Sequence, residues 1–186
     1  MSTTRDEFDK KGYLLLDSVI GDNAVKILNS YCLRYALNAP KRIDKLVPNT
    51  PACYGVPLME KLLVKLVPKI EGICGKALYP TYSYFRIYKR GDVLPRHRDR
   101  HSCEISLSLC LGYDSAEPWP LCVEGASDTF SAKLEPGGGL LYKGIQYTHW
   151  RDAFEGGYLA QAFLHYVDKN GIYSDWRFDK REALNL

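Results

Sequence analysis

The stretch "PRHRDRH", Pro95 to His101, places two of the chain's four histidines, one aspartate and three arginines in seven positions. His97 and Asp99 are two residues apart, so on an extended segment both side chains project to the same face. An imidazole and a carboxylate presented side by side can ligate one metal ion. A third candidate, His149 in "YTHWRD", lies several strand-like segments later, where a rolled sheet can carry it across to the first pair. Two histidines and one carboxylate leave the other positions of an ion open, which suits Fe(II) chemistry in which a cosubstrate and dioxygen both reach the metal. HxD alone arises often by chance, and a charged turn with a local hydrogen bond is its plain alternative. The later histidine, behind a glycine turn, makes the set more specific. His101 faces the same way as His97 if the strand runs straight, which makes it a substitute ligand or a substrate-side residue. Arg96, Arg98 and Arg100 alternate with the ligand face and read as outward, salt-bridging groups.

These ligands need a rigid frame, and the 186 residues suffice for one domain with a substantial core. The first third, about residues 1–79, reads as mainly helical support. "TTRDEFDKKG" carries a capping pattern and a glycine stop, and the apolar run "YLLLDSVI" follows as a strand. "GDNAVKILNSYCLRYAL" then sets Ala24, Ile27, Leu28, Tyr31 and Tyr35 at helical spacing. "NAPKRIDKLVPNTPACYGVP" reads as a loop, and "LMEKLLVKLVPKIEGICG" as an amphipathic helix that Pro68 kinks or splits. From Thr81 the period changes to two. Seven short strand candidates run from "TYSYFRIYK" to "YLAQAFLHYVD", separated by turn residues. The expected fold class is therefore α+β, mainly β: a jelly-roll barrel over residues 80–170, supporting helices before it, and a tail at 171–186 that is either a closing lid or a partner helix.

Composition narrows the function classes. With 46% hydrophobic and 25% charged residues the chain reads as globular, and fourteen tyrosines favour strands and aromatic-lined pockets. A net charge of +3 is too slight to imply a nucleic-acid or membrane partner. The polar start "MSTTRDEFDKKG" resembles no signal peptide and no apolar run reaches spanning length, so the expected location is cytoplasmic. Six cysteines without CxxC spacing read as reduced, mostly buried thiols. "PGGGLLYKG" lacks the Gly-Lys-Ser/Thr ending of a phosphate loop and reads as a β-turn.

In "YFRIYKRGDVLPRHRD" and "EPGGGLLYKGIQYTHW" the chain resembles the 2-oxoglutarate- and Fe(II)-dependent dioxygenase superfamily, in its prolyl-4-hydroxylase-like branch. The resemblance covers most of the chain, with "FDKKGYLLLDSVI" as the N-terminal support. It implies a double-stranded β-helix, His97, Asp99 and His149 as iron ligands, and Fe(II), 2-oxoglutarate and O2 as cofactors, with ascorbate as a further candidate. The implied reaction is hydroxylation of an unactivated C–H bond, with peptidyl proline or a small amino-acid-like molecule as first substrate. One feature departs from that branch. Its members pair the far carboxylate of 2-oxoglutarate with a Lys or Arg on the strand after the distal histidine, and here that strand, "GGYLAQAFLHY", has neither. Arg151, two residues beyond His149 and on the same face of an extended strand, is the first substitute, because a guanidinium pairs bidentately with a carboxylate. Arg86 is the second, with Tyr84 and Tyr88, and Tyr82 beyond them, as hydroxyl donors on the same face.

Trp119 and Trp150 are candidates for a substrate pocket as well as for core packing, and His165 in "AFLHYV" reads as a core histidine. Two other functions remain open. A cupin-like isomerase or hydrolase would use the ion as a Lewis acid, and a non-catalytic barrel would bind a ligand without cosubstrate. The oligomeric state is not legible.

Overall fold

The computed structural model describes residues 4–38, 45–48, 50, 52–125 and 128–186. Helix α1, Thr4–Lys11, opens with Asp6 and Glu7 and closes with Lys10 and Lys11, each set complementing the helix dipole. Gly12 ends it at a positive φ of 78°. The chain continues through β1 (Tyr13–Leu16), α2 (Asp22–Asn38), β2 (Ala52–Tyr54) and α3 (Pro57–Cys74). Eight further strands follow: β3 (Leu78–Lys89), β4 (Leu94–His97), β5 (Ile105–Asp114), β6 (Leu121–Glu124), β7 (Thr129–Ala132), β8 (Gly139–Tyr142), β9 (His149–Arg151) and β10 (Tyr158–Asp168).

The strands form two antiparallel sheets, a six-stranded one in the order β1-β8-β5-β10-β3-β2 and a four-stranded one in the order β4-β9-β6-β7, an arrangement of jelly-roll type. Period-two alternation gives the large sheet two different faces. Ile105, Leu107, Leu109 and Leu111 of β5 and Ala160, Ala162, Leu164 and Tyr166 of β10 pack with the helices. Leu159 and Phe163 of β10, with Tyr88 and Tyr142, pack toward Leu94, Leu121 and Val123 of the small sheet. Polar side chains also enter this inter-sheet layer: Arg86, Ser106, Ser108, His149, Arg151, Gln161 and His165 are all buried.

The helices differ from the sequence expectation in two respects. On α2 the buried stripe is Val25, Leu28 and Cys32, while Ile27 is 65% exposed. Of the expected face, Leu28 is buried and Tyr31 and Tyr35 pack against the core, while Ile27 turns to solvent and Val25 and Cys32 take the centre of the stripe. On α3, Pro68 does not split the assigned helix, which runs on through it. Pro68 and Val64, whose carbonyl loses its helical donor, both lie on the exposed side, where water can satisfy that carbonyl. Met59, Leu63 and Ile70 are fully buried on the other side, each contributing about 1.5–3 kcal/mol of burial.

The early segment is more than helical support, since β1 and β2 both join the large sheet. The tail packs back on the body. Asp179 accepts two bonds from Arg100 and one from the Tyr54 hydroxyl, and Arg181 pairs with the fully buried Glu60. Phe178, Asp179 and Lys180 adopt left-handed backbone at φ 52°, 58° and 60°, a cost these contacts offset. No helix among the described residues is long and apolar enough to cross a membrane.

Candidate metal centre

β4 and β9 lie side by side in the small sheet, with His97 and His149 as Cα partners and Leu94 opposite Arg151. Beyond His97 the strand ends, and the Asp99 amide bonds to the Gly144 carbonyl at 3.0 Å. That contact requires a glycine, because a Cβ on Gly144 would lie 2.3 Å from Asp99 Oδ2 and 2.7 Å from Ser106 Oγ. The glycine turn before β9 thus holds the aspartate as well as delivering the distal histidine.

Asp99 Oδ1 lies 3.5 Å from His149 Nε2 and 3.8 Å from His97 Nε2, and the three ligand atoms fall within 4.8 Å of one another. Ligands at right angles around one ion at ~2.1 Å are about 3 Å apart, so a small contraction closes the set on a metal. The tautomers agree with that reading. His97 Nδ1 meets the Pro95 carbonyl at 2.8 Å and His149 Nδ1 meets the Tyr147 carbonyl at 3.2 Å. A carbonyl only accepts, so each Nδ1 carries the proton and each Nε2 lone pair points inward. Burial would raise the Asp99 carboxyl, but the adjacent imidazoles, His149 first and then His165 and His97, counter it in their protonated forms and hold the group at about 2. All three residues therefore present donor atoms fit for a divalent ion.

The triad opens on a cavity of about 30 Å³ walled by Tyr84, Arg86, Tyr88, Tyr142 and Phe163, with Leu46 also on its wall. Larger hollows, about 520 Å³ beneath the tail and about 680 Å³ beside Trp119, contain none of the triad. Burial raises the Tyr84 and Tyr142 phenols well above their ordinary range, so both remain neutral donors.

The two candidate cations differ in their partners. Arg86 Nη1 donates to the carbonyls of Val47 at 3.1 Å and Thr50 at 2.6 Å, which ties it to the 45–50 segment. Arg151 is 1% exposed and buried on the same side of β9 as His149. It donates to the Trp119 carbonyl and lies over the Trp119 ring, and among the described residues its Nε has no hydrogen-bond partner and no carboxylate pairs with it. Burial depresses its pKa, an effect that the facing Tyr88 partly offsets. A buried cation without an anion is costly, and an incoming carboxylate would relieve that cost.

Arg151 is not itself on the wall of the triad cavity, whose lining cation is Arg86, and three further sequence candidates lie away from it. His101 leaves the ligand face because the chain turns into a short 3-10 helix, His101–Cys103, and its ring stacks on Tyr173 and meets Trp176 edge-on. Trp150 lies between two buried residues of β9 and so faces the other way, under the Arg96 guanidinium at 3.7 Å. Trp119 packs on Phe154 and Tyr88 and bonds to the Asp152 carbonyl, lining the hollow beside it. Arg96 and Arg100 do form ion pairs, with Glu124 and Asp179. His165 is a buried sheet histidine, as the sequence reads, and its bond to Ser106 beneath Asp99 is what that reading did not foresee. Its signal is the set of polar residues at inward positions of apolar strands: Ser106 and Ser108 on β5, Gln161 and His165 on β10.

No protein-family model and no curated protein matches the sequence. Solved structures do match. A prolyl-4-hydroxylase from Pseudomonas putida superposes with a TM-score of 0.73 at 14% identity, over 89% of this chain and 97% of that one. HygX from Streptomyces hygroscopicus, with nickel, 2-oxoglutarate and hygromycin B bound, gives 0.72 at 13% identity over 91% and 88%. The alpha-ketoglutarate-dependent epimerase SnoN of nogalamycin biosynthesis gives 0.74 at 11% identity over 87% and 79%. The chain thus has the fold of the 2-oxoglutarate- and Fe(II)-dependent oxygenases, prolyl-4-hydroxylases among them.

Proposed function

We propose that the protein is an Fe(II)- and 2-oxoglutarate-dependent dioxygenase that hydroxylates an unactivated C–H bond, with peptidyl proline or a small amino-acid-like molecule as substrate. The observation that carries this reading is Arg151, a buried cation without a carboxylate partner among the described residues, two positions from a triad histidine on the same strand face. Iron held by His97, Asp99 and His149 supplies oxidative decarboxylation of 2-oxoglutarate to succinate and CO2, coupled to insertion of the second dioxygen atom into the C–H bond.

The residues of this chain do the rest. Two strand positions separate His149 from Arg151 by about 6.6 Å, a span over which a five-carbon dicarboxylate reaches from a metal to a guanidinium. Arg151, behind the cavity wall on the strand of His149, fixes the far carboxylate once the wall opens, and the phenols of Tyr84 and Tyr88, which line the cavity, donate beside it. Leu94, Leu121 and Phe163 exclude water, which strengthens each of these bonds. The cavity holds about one or two waters as it stands, so admitting the cosubstrate displaces side chains at its wall. Leu46, 38% exposed, is the wall residue best placed to move. The near-complete mutual coverage with a prolyl-4-hydroxylase supports the substrate class, and the epimerase SnoN marks a second outcome of C–H activation available to this fold.

The test is an anaerobic titration with Fe(II) and 2-oxoglutarate, followed by succinate release with peptides and amino acids. A weak visible charge-transfer band is expected only when both are present. Bound iron with no band on adding 2-oxoglutarate would sink the oxygenase reading and favour a binding module.

A further inference from the structure

Ser106 on β5 and His165 on β10 are Cα partners, and both side chains turn into the inter-sheet layer beneath the triad. Ser106 Oγ lies 2.9 Å from Asp99 Oδ2 and 2.9 Å from His165 Nδ1. An ionised carboxylate only accepts, so the single Ser106 hydrogen must go to Asp99. The Cys103 carbonyl, 3.3 Å from the same oxygen, is the longer and uncharged alternative. Once its hydrogen is committed, Ser106 Oγ accepts from His165 Nδ1. The direction of the whole chain is thereby set: His165 Nδ1–H to Ser106 Oγ–H to Asp99 Oδ2. The other histidine nitrogen agrees, since His165 Nε2 is buried without a hydrogen-bond partner among the described residues, as expected of a bare lone pair. Tyr82 and Tyr84 stack on the His165 ring at 4.6 and 5.7 Å and limit its rotation.

The two oxygens of Asp99 are therefore not equivalent. Oδ1 faces both triad histidines, while Oδ2 is held from below by Ser106 and flanked by the Gly144 turn. We propose that Ser106 and His165 are positioning residues that hold Asp99 as a ligand through Oδ1 alone, which keeps one more coordination position open. This inference rests on the metal-centre reading of His97, Asp99 and His149. Freed from Ser106, the carboxylate could turn both oxygens to the ion and occupy a position that a cosubstrate needs. Cys103 also lies near Asp99 and His165, but its sulfur contacts the Tyr82 hydroxyl at 3.1 Å, and Ser106 bridges the other two.

The full-length protein, stripped of metal, is titrated anaerobically with Co(II) while the d–d absorption is recorded, and the metal-free form is melted as a folding control. Ser106→Ala and His165→Phe are expected to fold, to weaken Co(II) binding by about 10- to 100-fold and to change the d–d band. Ser106→Thr and His165→Asn, which restore a hydroxyl and an N–H at the same places, are expected to recover most of both. Wild-type affinity and spectrum in folded Ser106→Ala and His165→Phe overturn the proposal and leave the metal centre standing. A wild-type protein that takes up no Co(II) overturns the metal centre, and this proposal with it.

Discussion

Replacing Arg151 by methionine separates cosubstrate binding from folding in a way that few substitutions can. The guanidinium is 1% exposed, and its only described hydrogen bond runs to the Trp119 carbonyl. Removing a buried cation that no carboxylate balances relieves a desolvation penalty, while leaving the Trp119 carbonyl without its donor costs about 1–3 kcal/mol. These effects oppose each other, so metal-free stability should change by no more than about 2 kcal/mol in either direction. Binding of 2-oxoglutarate should respond very differently. Deleting one partner of a buried, hydrogen-bonded charge pair costs about 2–5 kcal/mol, which at 1.4 kcal/mol per decade is a loss of about 30-fold to several thousandfold. The assay pairs a denaturant melt of the metal-free protein with an anaerobic 2-oxoglutarate titration at saturating Fe(II). Unchanged 2-oxoglutarate affinity in a folded Arg151→Met protein would refute the assignment and move the anchor to Arg86. Arg151→Lys should recover part of the binding, since it keeps the charge and loses the planar fork.

Further outcomes follow from the same geometry. His97→Ala, Asp99→Ala and His149→Ala should each abolish the charge-transfer band, and a full-strength band in any one of them removes that residue from the ligand set. Arg181→Met leaves the fully buried Glu60 without its cationic partner and should cost about 3 kcal/mol in a denaturant melt. Burial would raise the Asp179 carboxyl, but the bonds from Arg100 and Tyr54 outweigh it and hold its pKa below the ordinary range. A carboxyl depressed by folding contributes stability that is fully present above its unfolded pKa of about 3.9 and is lost as pH falls through the folded pKa. Asp179→Asn should therefore cost on the order of 1 kcal/mol near neutral pH. The gap to wild type should close below about pH 3.9, and a gap that is constant down to pH 2 would contradict the ion-pair account.

The sequence carried a large part of this molecule in its local periods. All seven strand candidates from "TYSYFRIYK" to "YLAQAFLHYVD" contain strands, because alternating side chains on a half-buried sheet leave a period of two that needs no knowledge of the partner strand. The same alternation placed Tyr84, Arg86 and Tyr88 on one face, and all three line the cavity with His97, Asp99 and His149. It also split "PRHRDRH" into His97 and Asp99, which line the cavity, and arginines that are exposed. It failed where the chain stops being extended: His101 was counted on the ligand face, but the backbone has already turned by then. β2 was missed for a related reason, since a three-residue strand at a sheet edge draws its register from β3 rather than from its own pattern.

The residue types and their spacing thus determined that three metal-ligating side chains could meet and that a cation followed the last of them by one strand repeat. Only the tertiary structure decided how those groups are used. Whether Arg151 has an anion, whether Arg86 is engaged by a neighbouring segment, and whether His165 is packing or part of a hydrogen-bonded chain to Asp99 each depend on atoms distant in sequence. Periodicity assigns a side chain to a face, because that is a property of the local backbone. Hydrogen-bond partners and uncompensated charge arise where two sheets close over one another, and they exist only once the fold does.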